Sequence, residues 1–180
     1  MQVIKQSKQA LELAIKAINQ GKVVVCPTDT VYGFLADASN KKAVDKIYKI
    51  KKRPKSKLLA VFVKDIKSAK QLAEINGTQV KILKKYWPGK YTFILNLKKK
   101  TIALRVPRYK FLNDLLRKIN RPLVQTSVNI SNNPPLAKIS DIIEQFARQD
   151  ILLIDGGNLK KSKPSKVIDL SKQKTKILRK

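Results

Sequence analysis

Val23, Val24 and Val25 run directly into Cys26 and stop at Pro27, after which the chain reads Thr28, Asp29, Thr30, Val31, Tyr32, Gly33. Adjacent β-branched residues favour extended backbone, and an unbroken apolar run implies that both faces of the strand are covered. The run is therefore a buried strand, and it delivers a polar loop at the end where α/β folds place ligands. The hydroxyls of that loop suit a small polar substrate, and Gly33 permits close backbone approach. The same residues also suit an Asx or ST turn closed by a buried tyrosine.

The rest of the chain alternates strand-like and helix-like segments around this one. Ser7 is placed to cap a helix in which Ala10, Leu11, Ala14, Ile15 and Ile18 share a face. Asn40 is placed to cap a second, with Ala43, Val44, Ile47, Tyr48 and Ile50 on one side and Pro54 closing it. Residues 58–63 form another apolar strand, so residues 23–63 have βαβ character, and right-handed crossovers favour a sheet with helices packed on it. Further helices are predicted over 65–72, 78–86, around Leu112 to Ile119, and from a cap at Ser140 to Arg148. Strands are predicted over 91–97 and 101–106, joined by a turn of three lysines, and over 123–129, 151–154, 167–170 and 176–178. With no repeat and no linker in 180 residues, the expectation is a single α/β domain over 1–180, a twisted mixed β-sheet flanked by helices.

Composition excludes several chemistries. The chain has no histidine and one cysteine, which removes Ser-His-Asp and Cys-His pairs, histidine metal sites and disulfide frameworks. Cys26 follows three valines and reads as a small buried strand residue. No run is long and apolar enough for a membrane helix and the start lacks the apolar core of a signal peptide, so a cytoplasmic protein without membrane association is expected. The net charge of +28 attracts nucleic acid, nucleotides and other polyanions, although lysines scattered along the whole chain equally describe a solvated surface.

Walker, Rossmann, GxSxG, HExxH and CxxC motifs are absent, which leaves four polar segments. The first is the loop at 28–33. The second is Lys51, Arg53, Lys55 and Lys57 around Pro54; alternating cations on an extended segment line up on one side and suit a triphosphate, the alternative being a basic loop. The third, residues 127–135, offers Ser127, Asn129 and Ser131 after a strand, or simply a turn. The fourth is Arg105 inside an apolar strand, a charge that needs a buried carboxylate or a ligand as partner.

Taken in order, residues 26–33, the Lys-x-Arg-Pro at 51–54, Trp87 to Leu95, Leu104 to Pro107, 127–131, 164–169 and Ile177 to Arg179 resemble the YrdC-like threonylcarbamoyl-AMP synthases. The short, single-domain form of that family is the more similar. The resemblance implies a YrdC-like fold with a basic cavity in which L-threonine, bicarbonate and ATP become threonylcarbamoyl-adenylate and pyrophosphate. The product serves threonylcarbamoyl modification of the tRNA adenosine beside the anticodon, through separate transfer proteins. It further implies that Thr30, Ser127 and Ser165 contact threonine and that Arg53, Lys57, Asn129 and Arg179 contact ATP. Lys51 and Arg53 are the implied catalytic cations, with Thr28, Tyr32 and Arg105 lining the cavity and Mg²⁺ carried on the nucleotide.

The resemblance is inexact. Leu35 and Asn132 stand where glycine is common and Val128 where alanine is, each enlarging a side chain expected near the cavity. Phe62 replaces a histidine of longer relatives, and Arg179 lies on a terminal tail expected to fray. Direct binding of tRNA or double-stranded RNA, without adenylation, is the other function that this fold and charge suggest.

Overall fold

Ser7 and Asn40 cap their helices as their positions predict: Ala10 N–H donates to Ser7 Oγ at 3.1 Å and Ala43 N–H to Asn40 Oδ1 at 3.1 Å. The computed structural model describes residues 1–160, 162–172 and 174–179. Among them are ten strands: β1 (Gln2–Lys5), β2 (Val23–Cys26), β3 (Gly33–Asp37), β4 (Ala60–Phe62), β5 (Tyr91–Leu97), β6 (Lys100–Arg105), β7 (Leu123–Ser127), β8 (Ile151–Asp155), β9 (Lys166–Asp169) and β10 (Lys176–Arg179). Six helices accompany them: α1 (Lys8–Asn19), α2 (Lys41–Ile50), α3 (Ile66–Leu72), α4 (Gly77–Tyr86), α5 (Lys110–Ile119) and α6 (Ile139–Phe146). All strands join one mixed sheet in the order β1-β8-β2-β3-β7-β4-β6-β5-β9-β10.

Two strands escape the sequence reading. β1 is four residues with little burial, and its parallel pairing with β8, 150 residues away in Val3↔Leu153, carries no local signal. β3 begins at Gly33, directly after the polar loop, and turns back antiparallel on β2. This corrects the βαβ expectation. β2 and β4 run in opposite directions, and the parallel crossover is β3-α2-β4 with β7 inserted between its strands. α2 also ends earlier than Pro54: Lys51 is its C-cap, and Lys52 turns the chain out at φ 49°. The cap at Ser140 is not formed. Ser140 lies inside α6 and bonds Asp141, while the exposed Ile139 N–H donates to Asn158 Oδ1 from the loop beyond β8. A side chain from elsewhere in the chain thus replaces the local cap.

Side chains alternate along a strand, so register decides which of them share a face. The pairings Leu35↔Gln125↔Ala60, Phe62↔Arg105, Ala103↔Ile94 and Thr92↔Val167 put these residues on one side. α1 and α5 cover only part of that side, packing on Val24, Cys26, Leu35, Phe62 and Leu123. Phe34, Val61, Phe93, Leu104 and Val124 face the other way, under α2, α3, α4 and α6. Where α1 and α5 stop, the small residues Ala60 and Ala103 leave a hollow in the sheet face. That hollow is the site.

Candidate active site

A cavity of about 270 Å³ opens over β7, β4, β6, β5 and β9, and no helical residue lines it. Its wall on the β2 side is the loop after Pro27. Thr28 Oγ1 accepts the N–H groups of Thr30 at 3.0 Å and Val31 at 3.2 Å and donates to Val31 O at 2.7 Å. The Thr28 proton is therefore committed to Val31, and Thr30 Oγ1, 3.0 Å away, donates to Thr28. The turn reading and the site reading of this loop both hold: Thr28 builds the ST turn, and Thr30 is the hydroxyl it presents to the cavity. Tyr32 is likewise structural. Its hydroxyl donates to Gly157 O at 2.7 Å and accepts from Gly156 N–H, and burial, with Asp155 nearby, pushes its pKa up to about 12, so it keeps the proton that the first bond requires. Neither Thr28 nor Tyr32 lines the cavity.

Arg105 is 1% exposed, and its partner is a carboxylate of the chain itself. Its Nη2 meets Asp29 Oδ1 at 2.5 Å, its Nε donates to Gly89 O at 2.9 Å and its Nη1 to Thr30 Oγ1 at 3.3 Å. Asp29 Oδ2 accepts the Arg108 N–H at 3.1 Å. A guanidinium fork anchored this way fixes the Thr30 hydroxyl from below. Phe62 supports the arrangement, its ring centroid 5.6 Å from the guanidinium carbon.

The basic segment after α2 departs from the expected one-sided array. Lys51 Nζ is buried and donates to Ser127 O at 2.5 Å, Asn129 O at 2.9 Å and Asn129 Oδ1 at 2.8 Å, and it does not line the cavity. Asn129 Nδ2 donates to Ile130 O and Asn133 O, so Lys51 and Asn129 together clamp the loop after β7 and hold Ser127, whose hydroxyl donates to Asn129 Oδ1 at 2.8 Å. Lys55 leaves altogether to pair with Asp45 of α2, and exposed Lys57 reaches Asn132 at 3.5 Å. The alternation fails because Lys51 still belongs to the helix and Lys52 has positive φ, which breaks the extended backbone. Arg53 alone of the four points into the cavity, its Nε and Nη2 held by Lys57 O and Leu58 O at 2.9 Å each.

Burial, and then Arg53, lower the Lys51 ammonium to about 7 from its ordinary 10.5. An unfolded chain therefore binds a proton between those values that the folded chain lacks, and stability rises with pH across that window. Urea midpoints of the wild type should gain on those of Lys51→Met between pH 6.5 and 9; a constant difference would show that Lys51 keeps its ordinary ionisation.

The far wall is β9 and β10. Arg179 sits in β10 rather than on a frayed tail, with Nε donating to Ser165 O at 2.8 Å and Nη2 to Ser165 Oγ at 3.2 Å. Ser165 in turn shares a hydrogen bond with Thr92 at 2.8 Å. Burial, then Arg105 and then Arg53, lower the Arg179 pKa, so Arg179 feels both other guanidiniums across this space. One carboxylate, Asp29, balances them. Such a surplus of fixed positive charge stabilises an anion or a phosphoryl transition state.

Of the residues expected at the site, Thr30, Arg53, Arg105, Ser127, Ser165 and Arg179 line one cavity. Thr28, Tyr32, Lys51, Lys57 and Asn129 do not, and act as supports or lie outside. Thr92 and Gln125 line it unpredicted, because a lone polar residue inside an apolar strand has no signal until register assigns its face. The substitutions expected to crowd the cavity do not reach it. Leu35 and Val128 lie in the core, and Asn132 has φ 73°, a backbone that glycine adopts freely and asparagine tolerates. Gly33 has no positive φ, and a Cβ there would meet only ordinary contacts at 3.4 Å.

Comparison with known proteins places the fold and sequence among relatives. The Sua5/YciO/YrdC family model, described as telomere recombination, matches residues 16–180. A Methanocaldococcus jannaschii protein is 36% identical over 177 residues, covering 94% of this chain and 84% of its own. The threonylcarbamoyl-AMP synthase of Pyrococcus abyssi is 31% identical over 180 residues, 94% of this chain but 53% of that one. Among solved structures, P. abyssi Sua5 complexed with L-threonine superposes at TM-score 0.90 with 29% identity, over 99% of this chain and 56% of that chain. E. coli YciO superposes at TM-score 0.89 with 26% identity, over 99% and 93%. The chain thus spans little more than half the length of the P. abyssi protein.

Proposed function

The chain belongs to the Sua5/YciO/YrdC family, and from that membership we propose that it is a threonylcarbamoyl-AMP synthase, using L-threonine, bicarbonate and ATP. The observation that carries this reading is the convergence of Arg53, Arg105 and Arg179 on a cavity whose nearer wall presents the Thr30 and Ser127 hydroxyls. Threonine binds at Thr30, Ser127 and Ser165; Arg53 and Arg179 take the phosphates. The threonine amine adds to carbon dioxide or bicarbonate, and an oxygen of the resulting carbamate attacks the α-phosphorus while pyrophosphate leaves. No histidine or protein nucleophile is needed, because holding a labile carbamate against the α-phosphate is a matter of proximity and of neutralising phosphate charge. Lys51 and Asn129 act on this chemistry through the position of Ser127, and Lys57 at the mouth meets only an extended triphosphate.

Among the described residues no group of three or more His, Cys, Asp or Glu side chains could hold a metal ion. Both oxygens of Asp29, the carboxylate paired with Arg105 of the cavity, are engaged by Arg105 and Arg108. A Mg²⁺ ion would thus enter on the nucleotide, bound to phosphate and water oxygens. The adenylate product would pass to separate proteins that modify tRNA.

The test is pyrophosphate release from ATP in the presence and absence of threonine and bicarbonate. Release that requires both supports the synthase; release indifferent to threonine sinks it, and salt-sensitive tRNA binding without turnover would support an RNA-binding role instead. Within the synthase, Thr30→Val should raise the KM for threonine about tenfold while the KM for ATP changes less than about twofold. Equal changes in both would remove Thr30 from the amino-acid end.

A further inference from the structure

Almost every polar group in the cavity is already bonded to the protein. Thr30 is held by Thr28 and Arg105, Ser127 by Asn129, Ser165 by Thr92 and Arg179, and Arg53 by two carbonyls. The hydroxyls of Thr101 and Thr126 are unbonded among the described residues but lie nearer the surface, and Gln125 is the buried exception. Its side chain rises from the middle of β7, at the floor of the cavity between Leu35 and Ala60, and is 9% exposed. Among the described residues neither its amide oxygen nor its amide nitrogen has a hydrogen-bond partner. A carboxamide at that depth with no protein partner keeps its hydrogen-bonding capacity free for water or a ligand group.

Charge decides which ligand group that is. The substrate carboxylate and phosphates are drawn to the three guanidiniums, leaving the neutral amide for a neutral group that both donates and accepts. Position narrows it further. A Cβ built on Gly33 would lie 3.4 Å from Gln125 Nε2 and 3.4 Å from the Thr28 methyl, so the amide sits beside the Thr28–Thr30 loop. Ser127 is two residues along on the same face of β7.

We propose that the Gln125 carboxamide reads the side-chain hydroxyl of the amino-acid substrate and so sets the preference for a β-hydroxy amino acid over its deoxy analogue. The proposal rests on the synthase reading and on its placement of the amino acid at Thr30 and Ser127. The hydroxyl donates to Gln125 Oε1 or accepts from Nε2, and a substrate lacking it sets a methylene against the amide at the floor of the site. A site built to bond a substrate hydroxyl discriminates strongly against the analogue without it for that reason.

The experiment compares L-threonine with L-2-aminobutyrate, the same carbon skeleton without the hydroxyl, in wild type and in Gln125→Met, which keeps the length of the side chain and removes the amide. Bicarbonate-dependent pyrophosphate release gives kcat/KM, and calorimetry of each amino acid in the presence of ATP gives binding. The wild type should prefer threonine by about 100-fold or more. In Gln125→Met the threonine kcat/KM should fall about 10- to 100-fold, mostly through KM, with that for 2-aminobutyrate changing less than about threefold. Equal losses on both substrates overturn the inference, since they would place the amide on the carbamate or act through the fold; no loss on either also overturns it. If the wild type itself releases no threonine-dependent pyrophosphate, the synthase reading fails first, an outcome distinct from an active wild type whose preference Gln125→Met leaves intact.

Discussion

Asp29→Ala should lower the stability of the folded chain by about 3–5 kcal/mol, measured as the shift in free energy of urea unfolding at neutral pH. Arg105 is 1% exposed, and Asp29 is its carboxylate partner. Breaking a buried pair from one side leaves a charge without compensation, which is far worse than never having had the pair. Burial already lowers the Arg105 pKa, and Asp29 is what opposes that effect. Asp29→Asn should lose less, because its amide oxygen still accepts from Arg105, but its nitrogen faces the Arg108 N–H that the carboxylate now accepts. A double change, Asp29→Leu with Arg105→Met, should recover much of the loss in stability while abolishing activity, since Thr30 then loses its guanidinium donor. A loss below about 1 kcal/mol for Asp29→Ala would mean that water reaches the guanidinium and that the pair is a surface one.

Arg53→Ala should lower kcat/KM for ATP by about 10²- to 10³-fold, the scale on which a fixed donor to transition-state charge acts. The same change should move the unfolding free energy by less than about 1 kcal/mol. Arg53 is only half-buried, it bonds carbonyls at the loop surface, and it has no carboxylate partner among the salt bridges of the described residues. Activity and stability therefore separate here. Arg53→Lys should restore only part of the rate, because an ammonium cannot keep the two carbonyl bonds and still present a planar fork to phosphate. Unchanged kinetics in Arg53→Ala would take the residue out of the site.

The strands that local pattern made legible are the ones with a strong β-branched or alternating signal. Val23–Cys26, Tyr91–Leu97 and Ile151–Asp155 fall within a residue of the expected bounds. β1 and β3 lack that signal, and their existence depends on a partner strand: β8 for the first, β2 and β7 for the second. The α6 cap shows the same limit on a smaller scale. Ser140 has the residue type a cap needs, but Asn158 reaches Ile139 first and the helix starts one residue before Ser140.

At the site, the residues and the family resemblance they carry named Thr30, Arg53, Ser127, Ser165 and Arg179 as candidates to meet a ligand, and the structure places all five on one cavity. They could not tell a group that faces the cavity from one that holds such a group in place. Lys51 and Arg53 are two residues apart and chemically alike in the sequence. One is at a helix C-cap and turns onto three acceptors of the loop after β7; the other follows a positive-φ residue and lines the cavity. Arg105 was legible as a buried charge needing an anion, but its partner, 76 residues away, was not.

By itself the sequence determined the class of fold, the order of most of its strands and helices, the absence of histidine chemistry and the set of cations and hydroxyls available to the site. Those follow from properties each residue carries with it: backbone preference, apolar spacing and charge. Only the tertiary structure decided that β2 and β4 run in opposite directions, that Asp29 rather than a ligand neutralises Arg105, and that Gln125 stands unpaired at the floor of the cavity. Each of these depends on which strands lie side by side and in what register, a choice set by contacts between residues far apart in the chain.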